Sequence, residues 1–280
     1  MTETGIGQTC STHEQREPAK GNHIMSSTDR PFGWRKRIGI LSPTVIETTA
    51  YDFYRLGLDG ISMCAITSNI EHWSKENFQQ HIIDPLISLA KYLASRNVDY
   101  IMHCGMPVVT TRGKGFEEEI VKIITDATGL PASTSIRSAI RALAHLGIRQ
   151  VAVLSPYPEE LHRSALTFLQ ASGFKVVADQ TLDVVFKQLQ DVTPAQIATA
   201  AARLLGSAPS AEGLYIPCNQ WSAADAAPLI ENNCAVPVVS GSHADHWEAF
   251  RVLGIDDRID GHGRLMESLS EEPARARAIL

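Results

Sequence analysis

Residues 212–222 read Glu-Gly-Leu-Tyr-Ile-Pro-Cys-Asn-Gln-Trp-Ser, and this stretch predicts how the rest of the chain is arranged. Residues 214–217 have the length and apolar character of a buried strand, and a helix is expected to begin near Ser222. Cys218 would then lie at the carboxyl end of a strand, where open α/β sheets bind ligands. The amides at a helix N-terminus attract anions and lower the pKa of a nearby thiol. Cys218 is therefore a candidate reactive thiol, although free cysteines are often plain core residues.

The rest of the chain alternates short apolar segments with helical patterns. Strands are predicted at 38–41, 60–66, 98–103, 132–134, 151–154, 174–178, 214–217 and 236–240. Helices are predicted at 47–56, 75–96, 115–128, 138–146, 158–171, 194–205 and 244–253. Strands that alternate with helices indicate parallel sheets covered by helices on both faces. The sequence therefore predicts an α/β fold.

The second half of this pattern repeats the first. Ile-Leu-Ser-Pro at 40–43 matches Val-Leu-Ser-Pro at 153–156, and Asp-Tyr-Ile at 99–101 precedes Glu-Gly-Leu at 212–214 by the same 113 positions. We therefore expect two similar α/β halves that face each other across a cleft. Each half would present two strand-end turns to the cleft, and these turns hold Ser42, Pro43 and Thr44, Cys104 and Gly105, residues 155–157, and Cys218 with Asn219.

Composition argues against several classes of protein. The 280-residue chain has a formal net charge of −6 and no dense basic run beyond 35–37, which is unlike a nucleic-acid-binding protein. Its five cysteines are widely spaced without a CxxC motif, so neither a disulfide framework nor a zinc site is expected. With no apolar run of membrane-spanning length and no secretory signal, we expect a cytoplasmic protein without a membrane partner. Residues 1–34 are polar and are predicted to form a disordered tail.

Several motifs carry a resemblance to a known group of enzymes. They are Ala-Thr-Gly-Leu-Pro at 127–131, Leu-Gly-Ile-Arg-Gln-Val-Ala-Val at 146–153, Ser-Pro-Tyr at 155–157, Val-Pro-Val-Val-Ser at 236–240 and Gly-His-Gly-Arg-Leu at 261–265. Together they resemble the aspartate/glutamate racemase superfamily, and within it the arylmalonate decarboxylases first and the maleate cis-trans isomerases next. The likeness runs from about residue 37 to 267 and is strongest from 127 onward.

The resemblance implies a fold and its boundaries. We expect two flavodoxin-like domains with parallel sheets, related by a pseudo-two-fold axis, with the active site in the cleft between them. In this superfamily the last strand and helix return to the first domain. The expected first domain is therefore 35–147 plus 240–270, and the expected second domain is 148–239.

The resemblance also implies a type of chemistry. Members act on small carboxylic acids through a planar enediolate or carbanion beside a carboxylate, with neither a metal nor an organic cofactor. Prearranged hydrogen-bond donors must stabilise the charge that grows on the carboxylate oxygens, and a positioned acid or base must move a proton at carbon. The expected partner is thus a small acid, with no nucleic acid, and a homo-oligomer is allowed.

Two arrangements of thiols are open. By resemblance, a decarboxylase uses one cysteine, which corresponds to Cys218 here, and places a glycine opposite, whereas an isomerase or racemase uses two cysteines. The repeat places Gly105 opposite Cys218, and Thr-Arg-Gly at 111–113 resembles the decarboxylase motif in the same register. Because Cys104 is adjacent and a one-residue slip reverses side-chain facing in a strand, Cys104 stays the alternative.

The remaining candidate residues would hold the substrate. Tyr157 matches a tyrosine whose hydroxyl binds a substrate carboxylate in the related enzymes. Residues 106 and 107 depart from the decarboxylase pattern, since Met-Pro stands where Thr-Ser is usual. Asn219 stands where a glycine follows the catalytic cysteine. The expected substrate-binding set is Gly105, Met106, Tyr157, Asn219, Ser42 and Thr44, and Thr110 and Thr111 are further candidate donors.

Three functions follow from these residues. The first is a cofactor-independent decarboxylase of a substituted malonate-like acid, in which Cys218 protonates an enediolate. The second is a maleate isomerase or an amino-acid or hydroxy-acid racemase that uses Cys104 and Cys218. The third is a non-catalytic protein that binds small acids. Trp221 would either form a wall of the pocket or pack beneath the helix that follows it.

Overall fold

The computed structural model describes residues 30–270, in which strands and helices alternate. The first half contains β1 (Lys36–Ser42), α1 (Glu47–Arg55), β2 (Ile61–Thr67), α2 (Lys75–Phe78), a π-helical segment (Gln79–Ile83), α3 (Leu86–Ser95), β3 (Tyr100–His103), α4 (Met106–Thr110), α5 (Phe116–Thr128), β4 (Ala132–Thr134) and α6 (Ser135–His145). The second half contains β5 (Gln150–Ser155), α7 (Glu159–Ala171), β6 (Lys175–Thr181), a 3₁₀ helix (Phe186–Asp191), α8 (Pro194–Gly206), β7 (Gly213–Ile216), α9 (Ala223–Cys234), β8 (Val238–Ser240), α10 (Gly241–Val252), α11 (Arg264–Glu267) and a final 3₁₀ turn (Ser268–Ser270).

The strands form two four-stranded sheets with the same topology. The first sheet has the order β2-β1-β3-β4 and the second has the order β6-β5-β7-β8. Every neighbouring pair is parallel, as βαβ crossovers require. This order is flavodoxin-like, and β1 to β4 correspond in turn to β5 to β8. The predicted fold class, two similar α/β domains related by a pseudo-two-fold axis, is confirmed.

The two halves share one apolar core. Ile38 on β1, Tyr100 on β3, Val153 on β5 and Tyr215 on β7 are at most 1% exposed and belong to the same cluster of contacting side chains. Helix α10 is buried along Gly241–Phe250 and packs on α6 and β3 of the first half as well as on α9 and β8 of the second. The domain boundaries expected from the sequence remain a prediction.

The chain departs from the predicted pattern between residues 75 and 96. A single helix was expected there, but the segment divides into α2, the π-helical segment and α3. Pro85 has no backbone N–H and its ring would clash with the carbonyl four residues earlier, so a regular helix cannot continue through it. Asp84 instead donates its backbone N–H to the Gln79 carbonyl at 2.9 Å, a five-residue step.

The structure describes only the last residues of the predicted N-terminal tail. Residues 1–29, most of the tail predicted to be disordered, lie outside the described residues. Residues 30–34 form neither helix nor strand, and the Trp34 ring lies directly over Gly60. Within residues 30–270, no helix has the length and apolar character that crossing a membrane requires.

Candidate active site

The carboxyl ends of strands from both sheets surround one pocket with an empty volume of about 520 Å³. Turns after β1, β3, β5 and β7 supply about half of its lining. This is the edge at which parallel α/β sheets bind ligands. The structure brings together all eight residues that the sequence predicts for the site, Ser42, Thr44, Cys104, Gly105, Met106, Tyr157, Cys218 and Asn219.

Cys218 lies at the bend between β7 and α9. Its backbone N–H donates to the Ile216 carbonyl at 3.1 Å, which fixes a tight turn after the strand. The first residue of α10, Gly241, packs against this turn, and a Cβ there would lie 2.6 Å from Asn219 Oδ1. Only glycine therefore lets α10 approach this closely. The Cys218 side chain is buried, with 4% of its surface exposed, and borders the pocket.

The environment of Cys218 favours its protonated form. Burial raises the pKa of this thiol to about 11, although hydrogen bonds from the backbone N–H of Gln220, the Tyr157 hydroxyl and the backbone N–H of Trp221 lower it. The sequence-based expectation of a lowered pKa at this position is therefore wrong, because desolvation of the thiolate outweighs three donors. At neutral pH the group is a thiol that can give a proton.

Tyr157 connects the thiol to the wall of the pocket. Its hydroxyl hydrogen-bonds Cys218, and burial raises its own pKa well above the ordinary value. Its ring packs edge-to-face on Trp73, with centroids 5.1 Å apart. Two contacts therefore hold the Tyr157 side chain in place: its hydroxyl bonds the Cys218 thiol, and its ring packs on Trp73.

Gly105 is required by the local backbone. It begins α4 with φ at +97°, a conformation that favours glycine, and a Cβ there would lie 2.7 Å from Pro43 Cγ. Pro107 sits in the first turn of α4, where a missing N–H costs no helical hydrogen bond. The turn after β3 therefore offers backbone rather than a side chain to the pocket at position 105.

Cys104 borders the same pocket but its sulfur is held by a carboxyl group. Cys104 Sγ donates to Asp245 Oδ2 at 3.5 Å, and Asn219 Nδ2 lies 3.9 Å from the sulfur. Burial, and next the Asp245 carboxylate, raise the pKa of Cys104 well above its usual range. Cys104 is therefore also protonated at neutral pH.

Asp245, on the first turns of α10, was missed by the sequence analysis. Its Oδ2 accepts hydrogen bonds from Ser135 Oγ and Asn219 Nδ2, both at 2.7 Å, and from Cys104. Burial raises its pKa to about 7, although these three donors lower it. Asp245 comes shortly after β8, and the other site residues also lie close to strand ends. This shared position is the sequence signal that could have identified it.

The other residues predicted for the site differ in exposure and in their hydrogen-bond partners. Ser42 is nearly buried and Thr44 is partly exposed. Met106 Sδ accepts from the Thr110 hydroxyl at 3.2 Å. Thr110 and Thr111 are not among the pocket residues, because Thr110 also hydrogen-bonds Ser164 and Thr111 donates to the Pro107 carbonyl. The donor role considered for these two threonines from the sequence stays a prediction.

One wall of the pocket is apolar and was not predicted. Trp73 packs on Phe186 with centroids 4.9 Å apart, and the side of the pocket they form also contains Ile70, Phe78, Val108 and Leu189. Trp221 takes no part in this wall, because it is fully buried beneath the turn. Among the described residues, no Lys, Arg, His, Asp or Glu lines the pocket. An acid bound there would be held by neutral donors.

The neighbouring histidines are neutral. His243 and His246 are buried on α10, and burial lowers the pKa of each to about 3. In the part of the chain that the structure describes, no three His, Cys, Asp or Glu side chains are grouped as metal ligands.

Comparisons with known proteins identify the family of this chain. The family model for arylmalonate decarboxylase matches residues 39–266. The arylmalonate decarboxylase of Bordetella bronchiseptica is 26% identical over 188 residues, which cover 66% of this chain and 78% of that protein. The maleate isomerase of Nocardia farcinica is 24% identical over 180 residues, which cover 62% of this chain and 71% of that protein.

A solved structure shows the same fold. The maleate isomerase Iso from Pseudomonas putida S16 superposes with a TM-score of 0.78 at 18% identity, covering 84% of this chain and 99% of that one. The related proteins are enzymes of two kinds, a decarboxylase and isomerases. Because the family model spans most of the sequence, from the second half of β1 through α11, this chain belongs to the arylmalonate decarboxylase family.

Proposed function

We propose that this protein is a cofactor-independent decarboxylase of a substituted malonate-like acid, and that Cys218 protonates the intermediate. The observation that carries the proposal is the setting of the Cys218 thiol, which is buried, borders the pocket and accepts hydrogen bonds from the Tyr157 hydroxyl and two backbone amides, with burial raising its pKa to about 11. Such a thiol is a proton donor rather than a nucleophile at neutral pH.

The reaction balances with these groups alone. The bond between the α-carbon and one carboxylate breaks, CO2 leaves, and the bonding electrons pass into the retained carboxylate to form an enediolate. The S–H proton of Cys218 then moves to the α-carbon. Because the pKa of this thiol is raised to about 11, the thiolate that remains readily regains a proton from water.

The two sides of the pocket suit the two ends of such a substrate. Neutral donors near Cys218, among them the Tyr157 hydroxyl and the Asn219 amide, would meet the charge that grows on the retained carboxylate. The apolar wall around Trp73 and Phe186 would receive the substituent on the α-carbon. A carboxylate held away from water against such a wall loses CO2 more readily, because its charge leaves the apolar wall and moves to the retained carboxylate, where the hydrogen-bond donors lie.

A two-thiol isomerase or racemase is the second candidate. The observation in its favour is that Cys104 lines the same pocket and has a proton acceptor, Asp245 Oδ2, at 3.5 Å. The maleate isomerases among the relatives are consistent with it. Against it, Gly105 rather than a second thiol occupies the position that the repeat pairs with Cys218.

One experiment separates the candidates. Wild type, Cys218→Ser and Cys104→Ser are incubated in D2O with a panel of aryl- and alkyl-substituted malonates, maleate, and small amino and hydroxy acids, and NMR follows CO2 loss and deuterium at the α-carbon. We expect decarboxylation of a substituted malonate, a loss of about 10²-fold or more in Cys218→Ser, and retained turnover in Cys104→Ser. Loss of turnover in both variants, or conversion of maleate to fumarate, would support the two-thiol candidate instead.

The same panel tests the third function. Binding of an acid by calorimetry without turnover of any panel member, and with unchanged affinity in Cys218→Ser, would support a non-catalytic binding protein.

A further inference from the structure

Asp245 is a buried carboxyl group directly behind the pocket. It is 1% exposed, and two of its hydrogen-bond donors, Cys104 and Asn219, are pocket residues. The third donor, Ser135, holds the same oxygen, Oδ2, from the start of α6. The other oxygen, Oδ1, is buried and has no hydrogen-bond partner within residues 30–270. An ionised Asp245 would therefore place negative charge on a fully desolvated oxygen.

The pocket offers no positive charge to balance an anion. Its lining residues are all neutral side chains. A malonate-like acid carries two negative charges at neutral pH, and like charges repel strongly where water is excluded. A dianion next to Cys104 and Asn219 would lie one side chain away from the Asp245 carboxyl. Binding and ionisation of Asp245 must therefore oppose each other.

The groups around Asp245 are a cysteine, three tyrosines and an ion pair. Cys104, Tyr100, Tyr157 and Tyr215 have pKa values raised above their ordinary range, so they are neutral. Glu248, one turn along α10, forms an ion pair with Arg141 of α6 and accepts from Ser133 of β4 at 3.1 Å. Asp245 is the group in this set whose burial brings its pKa to about 7.

We propose that Asp245 is a positioning residue that takes up one proton when a dicarboxylate enters the pocket. Its neutral form keeps Oδ2 as the acceptor for Asn219 and Cys104, so both pocket residues stay in place while the negative charge behind them is removed. Oδ1 carries the added proton. The proposal rests on the proposed function only in taking a dicarboxylate as the ligand.

The test measures protons rather than turnover. Dimethylmalonate is the probe, because its alkyl groups give an α-carbanion no resonance stabilisation and NMR can check that it stays intact. Calorimetric titrations of the full-length protein at pH 6 to 8.5, each in two phosphate-free buffers of different ionisation enthalpy, give the number of protons taken up. We expect wild type to take up about one proton at pH 8 and to bind roughly tenfold more weakly per pH unit above the pKa of Asp245.

Three variants sharpen the comparison. Asp245→Asn mimics the neutral carboxyl, so its affinity should match wild type at the acidic end of the range, change with pH only as the dimethylmalonate dianion forms, and show no proton uptake at pH 8. Ser135→Ala removes a donor that lowers the pKa of Asp245, so the pH dependence should move to higher pH. Asp52→Asn is the matched control, because Asp52 is another buried carboxyl with a pKa of about 7, whereas Asp245 alone of the two hydrogen-bonds the pocket residues Cys104 and Asn219, and the variant should behave as wild type.

Several results would overturn the proposal. They are absence of proton uptake by wild type at pH 8, uptake that persists in Asp245→Asn, uptake that disappears in Asp52→Asn, or no binding of dimethylmalonate at pH 6. The wild-type titrations need no variant to fold. If no substituted malonate is decarboxylated while dimethylmalonate binds with proton uptake by Asp245, the proposed function fails and this inference stands.

Discussion

The acidity of the Cys218 thiol, the proposed proton donor, depends in part on one group, the hydroxyl of Tyr157. Its hydrogen bond lowers the pKa of Cys218 against the larger effect of burial. Tyr157→Phe keeps the ring that packs on Trp73 and removes only the donor. We expect the pKa of Cys218 to rise in this variant, and the pH dependence of Cys218 alkylation, followed by mass spectrometry of its peptide, measures it.

Tyr215→Phe is the control for that measurement. Tyr215 is fully buried near the same thiol, but its hydroxyl has no hydrogen-bond partner among the described residues. Its loss should change the alkylation profile much less. Equal shifts in the two variants would mean that the Tyr157 hydroxyl acts on Cys218 only through general polarity.

Gly105 provides a second test at the scale of one residue. Gly105→Ala combines a positive φ with a Cβ 2.7 Å from Pro43 Cγ, whereas Gly113→Ala has a positive φ of +88° and open space. We expect Gly113→Ala to lower the free energy of unfolding by about 1–2 kcal/mol and Gly105→Ala by about 1–3 kcal/mol more. Urea unfolding measures both, and equal losses would show that Pro43 moves aside.

At the scale of the secondary-structure elements, the strands were predicted better than the segments between them. β4 was predicted with its observed bounds, Ala132–Thr134, because Gly-Leu-Pro before it ends one helix and a helix follows at once. Helix α4 was missed, because five residues beginning Met-Pro show no helical periodicity. The break at Pro85 was missed because apolar spacing continues across it, although the proline itself was the available signal.

Trp73 and Phe186 of the apolar wall lie on the segments that follow β2 and β6, and we expect these segments to contribute to specificity. Trp73→Ala removes a ring that packs on both Tyr157 and Phe186. We expect KM for aryl-substituted malonates to rise about 5–30-fold, from about 1–2 kcal/mol of lost aromatic contact, with little change for malonate itself. Val185→Ala, which alters an exposed side chain beside Phe186, should change neither value. A parallel rise for malonate would mean that Trp73 holds the carboxylate end.

For the whole molecule, buried ionisable groups set the pH of greatest stability. Burial lowers the pKa of His103 to about 4 and of His243 and His246 to about 3, so stability from these groups falls as pH drops below about 6.5. Burial raises the pKa of Asp52 and Asp245 to about 7. The folded state then keeps protons that the unfolded chain releases above about pH 4, so stability falls as pH rises from there to about 7.

These opposing effects predict a maximum. Below about pH 6.5 the free energy of unfolding rises with pH, because the contribution of the three histidines is larger than the opposite contribution of the two aspartates. Above about pH 6.5 the aspartates dominate, and the free energy of unfolding falls. Urea unfolding from pH 5 to 8 should therefore give the highest free energy of unfolding near pH 6.5. Asp52→Asn should reduce the decline on the alkaline side. A free energy of unfolding that keeps rising above pH 7 would contradict these assignments.

The candidate site residues close to strand ends could be identified from the sequence, whereas Asp245 on helix α10 was not identified. The eight predicted residues follow strands, so their approach to one pocket follows from parallel topology. Asp245 lies in a helix whose residues Gly241–Phe250 are all buried, and no amphipathic pattern marks which side chains face the site. Burial of that helix depends largely on contacts with α6, which is distant in sequence.

Helix α10 also has a consequence for how the chain acquires its structure during synthesis. It packs on α6 and β3, yet the ribosome makes it only after all four strands of the second half. At roughly 5–20 residues per second, the interval between completing α6 and completing α10 is roughly 5–20 s. During that time the side of α6 that packs on α10 lacks this native partner. A nascent chain stalled after residue 147 should therefore be protease-sensitive and bind chaperones, and release should follow translation of residue 252.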